Sequence, residues 1–73
     1  MIQVTAIDSS KNVVRVSLSK PEDAAESAVA LQRNAKAISI QDGSWVLVYP
    51  ARVHVSTAML RKIIESHAEV NLS

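Results

Sequence analysis

The segment that decides the fold is residues 37–49, AISIQDGSWVLVY. Two apolar runs flank Asp42-Gly43, a dipeptide that favours a two-residue hairpin turn because a type I′ turn needs positive φ at both central positions. A turn of this length fixes the pairing of the two strands. The predicted pairing sets Ile40 opposite Trp45 and Ile38 opposite Leu47. These four side chains then share one face of the hairpin, with Tyr49 further along it.

The second strand of this hairpin is apolar on both of its faces. If Trp45 and Leu47 face the interior, Val46 and Val48 point to the opposite side. Either a helix of the same chain or a partner protein is expected to cover that side, because contiguous exposed apolar patches usually mark interfaces. The sequence therefore predicts a candidate protein interface at Val46, Val48, Ala37 and Ser39.

The N-terminal part of the chain indicates a second hairpin. Apolar residues alternate with polar ones in the runs 2–6 and 14–18, which is typical of half-buried strands. Turn-forming residues at 8–12 separate the two runs.

Two helices are predicted, near residues 20–34 and 57–68. Pro21 suits a first helical turn, Ser19 and Glu22 have capping-box spacing, and Asn34 is a candidate left-handed cap. The interior stripe of this helix is predicted to be Ala24, Ala28, Leu31 and Ala35. Ser56 or Thr57 can begin the second helix, whose apolar face is predicted to be Leu60, Ile63, Ile64 and His67.

The predicted fold is a single α+β domain over residues 1–73, with an antiparallel sheet of four or five strands and two helices in the order ββαββα. Residues 52–55 alternate again after Pro50 ends or kinks the preceding strand, and they are predicted to form either a short fifth strand or a continuation past the kink. The chain has 73 residues and no cysteine, so no disulfide supports its small core. Self-association is a common supplement for a core of this size.

No cofactor, metal or catalytic site is expected. The single glycine, Gly43, cannot build a phosphate-binding loop, and no nucleophile elbow is present. His54 and His67 are the only imidazoles, and a zinc site would need Asp42, Glu65 or Glu69 to complete it. The chain is therefore expected to be a non-enzymatic cytoplasmic protein with no membrane partner and no small-molecule substrate.

The net charge of +1 is too small to indicate a class of partner by itself. Residues 33–62 nevertheless carry five basic side chains against one acid, which makes the segment locally +4 (5 − 1). These are Arg33, Lys36, Arg52, Arg61 and Lys62, and they are the candidate contacts for an alternative function, nucleic-acid binding. That alternative requires all five to converge on one patch.

The aromatic residues allow two interpretations. Trp45 and Tyr49 could stack nucleic-acid bases on a sheet face. Their shared face with Ile38, Ile40 and Leu47 favours core membership instead, with Trp45 as a structural anchor. The favoured function is a protein-interaction module, such as a regulator, adaptor or inhibitor, that forms a homodimer through its apolar sheet face or an edge strand.

Overall fold

A computed structural model describes residues 1–72, in which one antiparallel sheet carries two helices in the order ββαββα. The elements are β1 (Ile2–Ile7), β2 (Val13–Leu18), α1 (Pro21–Gln32), β3 (Ala37–Asp42), β4 (Trp45–Pro50) and α2 (Thr57–Ser66). The strand order across the sheet is β2-β1-β3-β4, so β2 and β4 are its edges. The predicted α+β class and element order are confirmed.

Residues 52–55 form neither a fifth strand nor a continuation of β4, so the sheet has four strands, the smaller of the two predicted numbers. The strand ends at Pro50, and the Val53 N–H donates to the Pro50 carbonyl at 3.0 Å. This bond folds the chain into a turn, which leads through a short loop into α2.

The core lies between one face of the sheet and both helices. Val4, Ile38 and Ile40 are fully buried at its centre, together with Ala24 and Ala28 of α1. Small side chains let the axis of α1 approach the sheet closely. The α2 residues of the core are Leu60, Ile63 and Ile64, as the helical periodicity predicts.

The β3–β4 hairpin forms, but its predicted pairing is wrong. Leu47 lies opposite Ile40 and Tyr49 lies opposite Ile38, so the strands are offset by two residues from the prediction. The turn residues are Gly43 and Ser44, and of these only Gly43 has positive φ, at 62°. Glycine at the first central position is typical of a type II′ turn. Because side chains alternate with a period of two, the offset leaves every side chain on its predicted face.

The helix ends agree with the sequence only in part. Lys20 caps α1 without a side-chain hydrogen bond, so Pro21 places the start correctly and the predicted capping box is wrong. Asn34 does not adopt the predicted left-handed conformation; α1 ends at Gln32. Ser56 caps α2 as predicted and accepts from the Met59 N–H at 3.2 Å.

His67 adopts the left-handed conformation (φ 52°) that ends α2. Its side chain therefore leaves the apolar stripe and is exposed, so the prediction that His67 belongs to the core face is wrong. Among the helices of residues 1–72, neither is long and apolar enough to cross a membrane.

Candidate functional site

The two faces of the sheet differ in what covers them. One face packs against both helices, and the other, which we call the outer face, carries the alternate side chains of all four strands. Val46 and Val48 lie on the outer face with 52% and 63% of their surface exposed. Within residues 1–72, neither helix covers them, which leaves the two-sided apolar strand open on this side.

Apolar side chains on the outer face form a continuous patch, which we call the apolar band. Strand pairing sets Ile7 beside both Val13 and Ala37, and Ala37 beside Pro50, so one apolar row crosses all four strands. Val48 and Val46 extend this row along β4. The apolar band thus comprises Val13, Ile7, Ala37, Pro50, Val48 and Val46. Isolated exposed valines are ordinary, whereas a contiguous band at a sheet edge is typical of an interaction surface.

The structure places all four predicted interface residues on the outer face. Val46, Val48 and Ala37 belong to the apolar band, and Ser39 lies opposite Val48 on the neighbouring strand. The sequence did not indicate Ile7, Val13 and Pro50. Their contribution depends on β1 lying between β2 and β3, an arrangement that no local pattern specifies.

The edge of β4 also has unpaired backbone groups. The Ala51 N–H, just after the strand, donates to the Lys36 carbonyl at 3.0 Å, so Ala51 faces the sheet. Backbone groups alternate in direction along an antiparallel strand, which turns those of Val46, Val48 and Pro50 away from β3. Pro50 therefore removes no hydrogen bond from the sheet. Within residues 1–72, the outward N–H groups of Val46 and Val48 have no hydrogen-bond partner and remain available to another strand.

The two sheet edges differ in charge. In β2 the exposed Arg15 interrupts the apolar side chains, and charged side chains on an edge oppose pairing with another chain. No charged residue occurs in β4. A long uncharged edge of this kind is the one that another strand can extend.

The five basic residues of segment 33–62 converge only in part. Arg33, Lys36 and Arg52 line one groove with His54, which we call the basic groove. Arg61 instead pairs with Glu65 on α2 at 3.6 Å, and neither Arg61 nor Lys62 lines the groove. The basic groove thus brings together three of the five candidate contacts.

Trp45 packs against the edge of the core rather than inside it, so the predicted anchor is only partly buried. Its indole N–H donates to the Ala68 carbonyl at 3.0 Å. Its ring stacks on His67 with centroids 5.2 Å apart, and Nε2 of His67 contacts a carboxylate oxygen of Asp42 at 2.8 Å. These contacts join the β3–β4 turn to the end of α2 and leave the indole unavailable as an open stacking platform.

Tyr49 is the second aromatic residue, and it is fully inside the core. Its hydroxyl donates to Oε1 of Gln32 at 3.0 Å, and Nε2 of Gln32 donates to the Val55 carbonyl at 3.2 Å. Burial raises the pKa of Tyr49 to about 12. This chain of contacts joins β4, α1 and the loop before α2, and it gives Tyr49 a structural role.

No protein-family model matches the chain, and no curated protein or solved structure is significantly similar to it. Among residues 1–72, no three histidine or acidic side chains lie close enough together to hold a metal ion. The chemically distinctive surfaces are the apolar band with the β4 edge, and the basic groove.

Proposed function

We propose that this protein is a non-enzymatic interaction module that forms a homodimer by pairing β4 with β4 of a second copy. The observation that supports it best is the uncharged β4 edge, whose exposed valines and outward backbone groups lie together at one border of the sheet. The two chains would pair antiparallel about a two-fold axis. The resulting eight-stranded sheet would be continuous across the dimer.

The position of Pro50 limits how the two β4 strands can pair. Pairing Val46 with Val48 of the second copy uses only outward N–H groups that exist, and it repeats the same contact on both sides of the axis. A shift that brings Pro50 opposite Val46 would lose a hydrogen bond at each end, because proline has no N–H. The favoured pairing also gathers four valines, two from each chain, on the outer face.

The available area predicts a weak dimer. A standard interface buries about 800 Å² per partner. That is roughly a sixth of the 4659 Å² surface of this chain, and one strand edge supplies less. We therefore expect exchange between monomer and dimer at the concentrations used in solution studies.

The test replaces single outward N–H groups with proline. Val48→Pro removes a bond that the dimer needs and that the β3–β4 pairing does not use. The expected result is a monomer that stays folded, measured by sedimentation equilibrium at about 10 μM to 1 mM, the range that resolves weak association. Circular dichroism of the same samples checks the fold.

Ser17→Pro is the matched control, on the opposite edge in β2. The Asp8 N–H donates to the Asn12 carbonyl, so Asn12 faces β1 and, by alternation along the strand, the N–H of Ser17 points outward. This variant should remain a dimer. If Val48→Pro does not fold, Val48→Lys places a charge in the same edge and should also yield a monomer. Two results would contradict the proposal. The first is an unaltered protein that is strictly monomeric at 1 mM, about the weakest association tested. The second is a dimer that Ser17→Pro disrupts and Val48→Pro does not.

A further inference from the structure

We infer that the basic groove binds the phosphate group of a small ligand. The groove lies where the loop between α1 and β3 meets the loop between β4 and α2, and its volume is about 310 Å³. Arg33, Lys36 and Arg52 line it together with the His54 ring. Three permanent or near-permanent cations thus converge on one concave surface of a chain whose net charge is only +1.

Among the described residues, the cations of the basic groove have no acidic partner. No carboxylate lines the groove, and within residues 1–72 no ion pair involves Arg33, Lys36 or Arg52. The C-terminal end of α1 lies nearby and carries a partial charge of about −0.5. Three positive side chains outweigh this partial charge, so the field in the groove favours an anion.

Two sets of backbone and side-chain contacts hold the groove in shape. The Lys36 N–H donates to the Ile7 carbonyl at 2.6 Å, and the Lys36 carbonyl accepts from the Ala51 N–H at 3.0 Å. Gln32, at the base of the groove, uses its amide in the bonds to Tyr49 and Val55. The neutral polar group of the groove is therefore already satisfied, and a ligand would be recognised by the charged side chains and the imidazole.

The shape and lining of the groove indicate the class of ligand. Arg side chains recognise phosphate oxygens through paired N–H groups, and Lys adds a point charge. No Phe, Tyr or Trp side chain lines the groove, and its one aromatic ring is the imidazole of His54, so it lacks the large stacking platform typical of nucleic-acid sites. Its volume is at the small end of ligand pockets, about 300–1,000 Å³. A compact phosphate or diphosphate group fits these properties better than a nucleic-acid polymer, which needs an extended basic stripe.

The test uses inorganic phosphate, inorganic pyrophosphate and a single-stranded oligodeoxynucleotide as probes, with ¹⁵N-labelled protein at an ionic strength of about 0.15 M, where the Debye length is about 8 Å. Pyrophosphate should shift the amide signals of residues 32–36 and 51–54, with saturation below about 10 mM. Phosphate should shift the same signals more weakly. The variant Arg33→Gln/Arg52→Gln should weaken pyrophosphate binding about tenfold or more, because each guanidinium supplies charge-assisted hydrogen bonds.

Arg61→Gln/Lys62→Gln is the matched control, because it removes the same charge from α2, outside the groove. This variant should retain the affinity for pyrophosphate within about twofold, since distant exposed charges are largely screened. Equal weakening by both double variants would show a diffuse charge effect and overturn the inference. An absence of amide shifts in the groove would also overturn the inference. So would an oligonucleotide that binds more tightly than pyrophosphate and whose binding both double variants weaken.

Discussion

At the scale of single residues, Gln32 and Tyr49 determine how the polar atoms of the core are satisfied. Gln32 is the only buried polar residue among those described, with 6% of its surface exposed. Within residues 1–72, no buried side-chain nitrogen or oxygen lacks a hydrogen-bond partner. Each bond is worth only about 1 kcal/mol net, but leaving a buried partner unsatisfied costs about 1–3 kcal/mol. The pair therefore specifies how α1 and β4 meet.

Tyr49 makes the stability of the protein depend on pH in the alkaline range. Burial raises its pKa to about 12, above the ordinary value of about 10 expected in the unfolded chain. Below about pH 10, the pKa of tyrosine in the unfolded chain, Tyr49 is protonated in both the folded and the unfolded state, so the full stability is present. As the pH rises toward 12 (about the folded pKa), the unfolded chain ionises first, so stability falls by about 2–3 kcal/mol in total.

The control is Tyr49→Phe, which removes this titration and keeps those of the lysines. Urea unfolding at several pH values should show that the stability advantage of the unaltered protein over Tyr49→Phe shrinks as the pH rises from 9 to 12, roughly the interval set by the two pKa values. Tyr49 is the only tyrosine in the chain, so ultraviolet absorbance reports its ionisation directly. A tyrosinate midpoint near pH 10, about the value for a free tyrosine, would contradict the buried, hydrogen-bonded phenol.

At the scale of elements, the β3–β4 hairpin depends on one backbone conformation. Gly43 has φ of 62°, and a Cβ added there would meet nothing within 4 Å. The conformation alone therefore decides the effect of a substitution. Gly43→Ala should destabilise the protein by about 1–2 kcal/mol, because an alanine in this region brings its Cβ close to the following carbonyl.

Gly43→Asn is the companion variant, since asparagine tolerates left-handed backbone better than alanine. Chemical denaturation should rank the unaltered protein first, Gly43→Asn second and Gly43→Ala third. Both variants should keep the denaturant dependence of the unfolding free energy, because the same surface is exposed on unfolding. An alanine variant as stable as the original would show that the turn does not need positive φ at this position.

The same hairpin shows which parts of the fold can be predicted from sequence. The alternation of Ile38, Ile40, Leu47 and Tyr49 gave the correct face for each side chain, because the strand period is exceptionally regular over short runs. The predicted pairing was wrong because Asp-Gly is compatible with two turns. In one, Asp42 and Gly43 are the two central residues; in the other, Asp42 is the last residue of the strand before the turn. Asp42 in fact pairs with Trp45 across the turn. Turn type depends on φ and ψ at Ser44, which its identity does not specify.

The two candidate sites also differ in how far the sequence predicts them. Val46 and Val48 could be identified because their exposure follows from strand periodicity and from having helices on one face only. The basic groove could not be identified as a site, because Arg33 and Arg52 meet only after β3 and β4 bring the two loops together. Sequence proximity had grouped them with Arg61 and Lys62, which α2 carries outside the groove.

At the scale of the whole molecule, the two proposed surfaces serve different interactions. The apolar band and the β4 edge contain no charged residue, and Arg15 lies on the opposite edge of the sheet, in β2. The net charge of +1 per chain gives two copies little mutual repulsion. The basic groove adjoins the apolar band, since Lys36 and Ala51 are chain neighbours of Ala37 and Pro50, but the two surfaces share no residue. Ligand binding and self-association can therefore be altered by separate substitutions.

Pairing through β4 should also link stability to protein concentration. A dimer that forms only from folded chains stabilises the folded state by mass action. Above the dissociation constant, each tenfold rise in concentration should add about 0.7 kcal/mol per chain, which is half of the usual tenfold value because two chains share each dimer. For a chain of this size, that increment should raise Tm by about 3–5 °C.

Calorimetry or thermal circular dichroism over two decades of protein concentration measures this change in Tm. Val48→Pro should have a Tm that does not change with protein concentration. After correction for any intrinsic effect of the substitution, this Tm should match that of the most dilute unaltered sample. Ser17→Pro should keep the dependence of Tm on concentration. A flat Tm for the unaltered protein over this range would show that the β4 edge does not pair with itself, even though its backbone groups are free to do so.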